Sequence, residues 1–380
     1  MASIQILRFI AAALVVIHHL SFKLNTPSYH GHFLQLGASG VDMFFIISGF
    51  IMMLISTREK EPVNFIKKRV KRIYPMYWLY TSLAIFIFLT APELIKPSEG
   101  KDGITFLGSL TLIPFYNQEF ALKVGWSLTY EMFFYLIFAI ALFLKRNIAI
   151  TSSLIIIAFY ITSLFTNFFL IDYLGRSIAL EFILGIIAYK LYINQKLKNN
   201  FILISALSLA SFVFLIFTEI NKSTLIPAAP DRRFAMWGIP MFFIFVWFIS
   251  LEERIKTFKI HKALSTFGDA SFSIYLSHLF VVSACVVVFK KLPILHGINF
   301  YVATLIIATI SIAFGYLSYR FIEKPKLLER IFPIVKLAFK KNIRHNTWSI
   351  LNSYLTDGEK YIPPPPSVLT TQPGYNSKLT

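Results

Sequence analysis

The chain has 380 residues, 56% of them apolar and only 15% charged, with 40 Phe, 18 Tyr and 5 Trp, and a mean hydropathy of +0.65. Globular domains usually carry about 25% charged residues, so a soluble fold is excluded and an all-α polytopic membrane bundle is expected. Lys and Arg outnumber Asp and Glu by 37 to 19; in a membrane protein that excess sets topology rather than nucleic-acid contact. The one cysteine, Cys285, lies in an apolar run. It cannot close an intrachain disulfide and reads as an inert buried thiol.

A helix crosses about 30 Å of hydrocarbon with roughly 20 residues. Ten apolar stretches fit, at 4–22, 38–56, 73–91, 126–144, 148–166, 174–193, 201–219, 234–251, 270–289 and 300–319. The first carries His18 and His19 and lacks a basic leader, so it reads as a retained span rather than a cleavable signal. Residues 104–115 are also apolar but short, broken by Gly108 and closed by Pro114, and read as interfacial or re-entrant. With the N-terminus inside, the inside connections hold 23 basic residues and the outside ones 9, which places both termini in the cytoplasm. The bundle is expected over residues 1–344. Residues 345–380, with Pro363 to Pro366, read as a disordered Pro-rich cytoplasmic tail.

Seven charges fall inside the ten stretches: Arg8, Asp42, Glu131, Arg176, Glu181, Lys190 and Glu219. Each is a functional candidate, because a lone charge in hydrocarbon is costly. Arg176, Lys190 and Glu219 lie close enough to span ends to reach the interface, which leaves Arg8, Asp42, Glu131 and Glu181. Eleven residues separate Arg8 from His19, about three helical turns, so both share one face some 16 Å apart along the axis. Histidine suits general-base work because its pKa of about 6.5 leaves it neutral near pH 7. His18 points about 80° away and reads as a hydrogen-bonded structural residue. Between the second and third stretches, Lys67, Lys68, Arg69, Lys71 and Arg72 concentrate five cations in six residues. Two readings stand: a patch for anionic lipid, or a clamp for a phosphorylated ligand. In the fourth stretch Ser127, Glu131 and Tyr135 follow at four-residue spacing and form one polar stripe.

Six elements in order resemble the membrane-bound acyltransferase-3 family over residues 4 to about 325. They are Leu7-Arg8 with His19; Gly40-Val41-Asp42 through Ser48-Gly49-Phe50; Arg69-Val70-Lys71-Arg72-Ile73-Tyr74-Pro75; Trp126-Ser127-Leu128 with Glu131, Phe134 and Tyr135; Ser273-Ile274-Tyr275-Leu276 with His278; and Glu323-Lys324-Pro325. The resemblance implies an O-acyltransferase of the bacterial inner membrane. Such an enzyme moves an acyl group, usually acetyl, from cytoplasmic acyl-CoA to a sugar hydroxyl of an exopolysaccharide, lipopolysaccharide or related glycan. Arg8 and His19 would be its active-site pair, and Arg69 and Arg72 its cytoplasmic basic motif. Acetyl-CoA is then a donor substrate; no resident cofactor and no metal is expected. The implied partners are membrane lipid, a glycan or lipid-linked acceptor, and polysaccharide-assembly proteins. Thr129, Tyr130 and the Pro-rich tail depart from the family pattern, and the esterase-like domain of some relatives is not expected.

Combined with the helix registers, this gives an expected mechanism. Arg69, Arg72 and Lys68 hold the nucleotide phosphates, the pantetheine arm passes Arg8, and His19 takes the acceptor proton with Asp42 or Glu131 orienting its ring. Trp126, Ser127, Tyr135, Tyr275, Ser277, His278 and Glu323 either line the site or support packing. The rival reading is a transporter or flippase for a glycan or lipid-linked precursor, which also buries charges at midplane but is built on inverted repeats; none is visible here. A polytopic glycosyltransferase and a non-catalytic assembly subunit are further alternatives.

Overall fold

In hydrocarbon the backbone can satisfy its own polar groups only by closing every hydrogen bond internally, which for apolar runs of this length means helix. The computed structural model follows that constraint and describes residues 1–24, 34–221, 232–295 and 297–325. Its helices are α1 (Ala2–Leu24), α2 (Gly40–Ser56), α3 (Pro62–Thr90), α4 (Phe106–Thr111), α5 (Gly125–Phe143), α6 (Ile148–Ser163), α7 (Phe169–Leu174), α8 (Glu181–Ile193), α9 (Lys196–Asn199) and α10 (Phe201–Ile220). They continue with α11 (Ile239–Ser250), α12 (Glu252–Thr257), α13 (His261–Asp269), α14 (Ser271–Lys291) and α15 (Phe300–Ser318). The segment read as a Pro-rich tail lies outside the described residues.

Seven helices among the described residues are long and apolar enough to cross a membrane. The other three expected spans fall on shorter helices: α6, of 16 residues; a helix over Phe234–Ser250; and α8, of 13 residues. The 104–115 stretch becomes a single six-residue helix, α4, about 9 Å long and far too short to span. It is bracketed by two short strands, β1 (Gly103–Thr105) and β2 (Gln118–Phe120), paired in parallel with Ile104 opposite Glu119. The hydropathy pattern gave no sign of this pair. The expected cytoplasmic loop before the third span is helical instead: α3 runs 29 residues from Pro62, through Pro75.

Helix α1 lies at the centre, packed on α2, α13, α14 and α15. Its buried residues Ala12, Val16, Leu20 and Leu24 join Ile274, Val282, Val286, Ala303 and Ile307 in one apolar core. The outward faces are greasy as well: Phe165 and Ile202 are 84% and 85% exposed, and Leu209, Phe212 and Phe217 of α10 are open. A rind of that kind suits contact with lipid. Helices α2 and α8 cross through two glycines. A Cβ on Gly185 would sit 2.1 Å from the Ile46 carbonyl oxygen, and one on Gly49 would sit 2.2 Å from that of Phe182. Backbone contact at this range is how membrane helices gain packing energy without a hydrophobic driving force.

The N-terminus of α1 is capped from a distant part of the chain. Glu252 accepts hydrogen bonds from the backbone N–H groups of Ala2 and Ser3, both at 2.9 Å, and from the Ser3 hydroxyl at 2.5 Å. A carboxylate there also meets the positive end of the helix dipole. Burial alone would raise the Glu252 carboxyl, but the Ser3 hydroxyl and these N–H donors outweigh it and hold the group below its ordinary range.

Two outcomes follow. Gly185→Val should lower the melting temperature in detergent, corresponding to overpacking of about 1–3 kcal/mol, whereas Gly297→Ala, with nothing within 4 Å of its Cβ, should melt like wild type. Because Glu252 binds its proton less readily in the folded chain, its contribution is present above the unfolded carboxyl pKa of about 4.3 and is lost as pH falls through the lower folded value. Melting curves should therefore show wild type above Glu252→Gln near neutrality, with the gap closing only as pH is taken below about 4.

Candidate active site

The register of α1 sets two polar stations on one helix. At the first, the Arg8 guanidinium donates to Gln5 Oε1 at 3.0 Å, and Gln5 Nε2 donates to Asp269 at the end of α13. Burial raises the Asp269 carboxyl above its usual range, against the opposing pull of Arg8, Lys324 and Arg72. Arg8 thus has a fixed side chain, and it opens onto a cleft of about 740 Å³, counted to its open mouth. Arg72, Ser48, Glu131, Tyr135 and Tyr275 line the same cleft.

The polar stripe of α5 faces this space as its spacing requires. Tyr135 donates its hydroxyl to Glu131, and Ser48 of α2 donates to the same carboxylate oxygen at 3.4 Å. One turn earlier, the Ser127 hydroxyl and the Tyr275 phenol are 2.6 Å apart, which ties α5 to α14. Glu323 accepts from the Ser273 hydroxyl at 2.5 Å, closing a π-helical turn over Tyr319–Glu323 onto α14.

The basic motif is divided by the fold. Lys68 pairs with Glu59 at the surface. Arg69 is 4% exposed, with its guanidinium over the rings of Phe65 and Tyr135 at 5.7 and 5.9 Å. Its Nε and one Nη have no hydrogen-bond partner among the described residues, an expensive state for a buried donor. Of the three cations expected to act together, Arg72 alone lines the cleft beside Arg8.

At the second station of α1, His19 Nδ1 lies 3.0 Å from the Val15 carbonyl oxygen and 3.2 Å from His278 Nε2. His278 is wholly buried, and its Nδ1 lies 2.6 Å from the Tyr275 carbonyl oxygen. Tyr275 belongs to both places: its side chain lines the cleft and its carbonyl holds the histidine pair. His18 turns away, with Nδ1 3.0 Å from the Leu34 carbonyl oxygen, in agreement with a structural role.

Neither carboxylate expected to orient His19 reaches it in this structure, because both are committed elsewhere. Glu131 is held by Tyr135 and Ser48. Asp42, fully buried, takes a two-pronged contact from Arg233: Nε to Oδ1 at 3.1 Å and Nη2 to Oδ2 at 2.7 Å. Arg233 also donates to the Ala38 carbonyl oxygen at 3.1 Å and lies between the Trp126 and Trp237 rings, 5.8 and 4.9 Å from their centroids. Glu181 is buried close by, beside Gly238, and neither of its oxygens has a hydrogen-bond partner among the described residues. Glu219, expected at an interface, accepts from the Gln35 and Leu36 N–H groups at 3.2 and 2.7 Å.

Sequence reading missed Arg233, Gln5 and Asp269. By hydropathy Arg233 falls in an outside connection; the signal that points to it is a buried Asp42, which requires a counter-charge. Gln5 stands three residues before Arg8 on the same face, but its uncharged amide gives no signal of its own.

A family profile described as an acyltransferase domain matches residues 1–315. The exopolysaccharide production protein ExoZ of Rhizobium meliloti (strain 1021) is 31% identical over 315 residues, covering 78% of this chain and 92% of that protein. The O-acetyltransferase OatA of Staphylococcus aureus (strain NCTC 8325 / PS 47) is 28% identical over 352 residues, covering 82% of this chain but 55% of OatA. No solved structure matches the chain.

The Asp42–Arg233 pair yields a stability prediction. Arg233→Met leaves the buried Asp42 carboxylate without its guanidinium, a loss of about 3–5 kcal/mol for a broken buried pair. Thermal melting in detergent should show a large drop, and Asp42→Asn added to Arg233→Met should restore part of it. An Arg233→Met protein that melts like wild type would contradict the pairing.

Proposed function

This chain belongs to the acyltransferase-3 family, and on that premise we propose that it transfers an acetyl group from cytoplasmic acetyl-CoA to a sugar hydroxyl of a cell-surface glycan. The supporting observation is that Arg8 and Arg72 line one cleft together with Tyr275, whose backbone carbonyl holds His278 against His19. Two guanidiniums at one site suit the diphosphate of a CoA nucleotide, since each offers a planar fork of donors. The name of ExoZ, which speaks of exopolysaccharide production, and the O-acetyltransferase name of OatA both favour acetyl transfer to a glycan oxygen.

In the proposed reaction the acceptor oxygen attacks the thioester carbonyl while His19 takes the hydroxyl proton. The C–S bond breaks, the imidazolium returns the proton to the departing thiolate, and the products are an acetyl ester and CoA thiol. No acyl-enzyme is required. Arg69 acts indirectly: its buried guanidinium, over the rings of Phe65 and Tyr135, holds Tyr135 and through it Glu131. Lys68, tied to Glu59 at the surface, contributes to the field that draws the anionic donor. In this reading the chain sits in the bacterial inner membrane with residues 57–72 and both termini on the cytoplasmic side, which the excess of basic residues in those connections supports.

The test is transfer of labelled acetyl from acetyl-CoA to a glycan or lipid-linked oligosaccharide by purified protein. His19→Ala should reduce turnover by about 10²-fold or more, the usual share of general-base catalysis. Arg72→Ala should raise KM for acetyl-CoA about tenfold or more, from the loss of a charged hydrogen bond, with the acceptor KM unchanged. Wild-type turnover in a correctly inserted His19→Ala protein would overturn the reading of His19 as the base, and an unaltered donor KM in Arg72→Ala would remove the clamp.

A further inference from the structure

The two histidines contact each other and two backbone carbonyls, and carbonyl oxygens can only accept. His278 Nδ1, 2.6 Å from the Tyr275 carbonyl oxygen, must therefore carry its proton, which leaves Nε2 of the neutral ring as an acceptor. His19 Nδ1, 3.0 Å from the Val15 carbonyl oxygen, must likewise carry a proton. That same N–H faces the His278 Nε2 lone pair at 3.2 Å and is shared between the two acceptors. The opposite assignment would set a lone pair against a carbonyl oxygen at both histidines at once.

We infer that His278 is a positioning residue that fixes the Nδ1–H tautomer of His19, so that the lone pair of the proposed base resides on His19 Nε2. This rests on the reading of His19 as the base and names what selects its reactive nitrogen. A carboxylate commonly performs that task for a catalytic histidine; here a second imidazole, itself fixed by a backbone carbonyl of its own helix, takes the place. The substitution fits the location: a neutral ring can be fully buried between α1 and α14, whereas a carboxylate there would need a counter-charge. It also links the base to the cleft, because Tyr275 both lines that space and fixes His278. Among the described residues His19 Nε2 makes no hydrogen bond, which leaves it open to an acceptor hydroxyl.

The direct test is nitrogen NMR of histidine-labelled protein in lipid nanodiscs at about pH 8, where free imidazoles are neutral, assigned with His19→Asn and His278→Gln. The expected spectrum shows His19 Nδ1 protonated and His19 Nε2 unprotonated; a proton on His19 Nε2 overturns the inference. The kinetic test compares two substitutions. His278→Gln keeps an acceptor oxygen near the position of Nε2, while His278→Leu removes it. His278→Leu should lower kcat by about 10²-fold with KM for acetyl-CoA within about threefold, and His278→Gln should recover most of that loss. Equal kcat in His278→Leu and wild type, or equal loss in both variants with wild-type melting curves, would contradict the positioning role. The spectrum is read without turnover, so failure of His19 as the base, seen as activity in His19→Ala, is distinguishable from failure of the tautomer assignment.

Discussion

A polar group inside hydrocarbon must find its partner within the protein, and most of the interior contacts of this bundle follow from that requirement. Asp42 is held by Arg233, Glu131 by Tyr135 and Ser48, Arg8 by Gln5, and His19 by His278 and its own helix. Arg8–Gln5, Glu131–Tyr135 and His19–Val15 lie within one helix, whereas Asp42–Arg233, Ser48–Glu131 and His278–His19 tie together helices that apolar packing alone would leave free to slide. Among the described residues two ionisable groups escape the rule, the Arg69 guanidinium at Nε and one Nη and the Glu181 carboxyl, together with the hydroxyls of Thr81, Ser152, Ser265, Ser271 and Thr304. Arg69 lies over the ring of Tyr135, which lines the cleft, and Glu181 lies beside the Asp42–Arg233 pair.

Helix α1 gives the arrangement its axis. Its N-terminus is fixed by Glu252, Arg8 lies two turns in, and His19 follows three turns later on the same face. In the proposed reaction the first station meets an anionic donor and the second a neutral hydroxyl, and about 16 Å of helix separates them. An extended pantetheine arm spans such a length. The two stations are connected through Tyr275 rather than through α1 itself, since the tyrosine side chain faces the cleft and its carbonyl faces the histidines.

Much of this was legible in the sequence. The ten apolar stretches all fall on helices, because hydropathy and backbone satisfaction act on the same residues. The Glu131–Tyr135 contact and the shared face of Arg8 and His19 follow from helical periodicity alone. What periodicity within one segment cannot reach is the choice of partner between segments. Arg233 looked like a loop cation until Asp42 stood beside it, and His278 looked like one of several polar residues until its ring met that of His19. The run at 67–72 has the charge density of a loop patch, but α3 begins at Pro62 and its helix turns Arg69 inward while Lys68 faces out. The strand pair around α4 was not visible because three-residue strands carry too short a pattern to register.

The central claim is that one cleft carries the donor from Arg8 and Arg72 up to Tyr275 and presents its acetyl group to His19. The most direct measurement is an experimental structure with a non-transferable thioether analogue of acetyl-CoA bound in lipid nanodiscs. The result expected has the diphosphate against the Arg8 and Arg72 guanidiniums and the acetyl carbonyl beside Tyr275, within reach of His19 Nε2. A nucleotide bound away from both arginines, or an acetyl group on the far side of the bundle from His19, would contradict it.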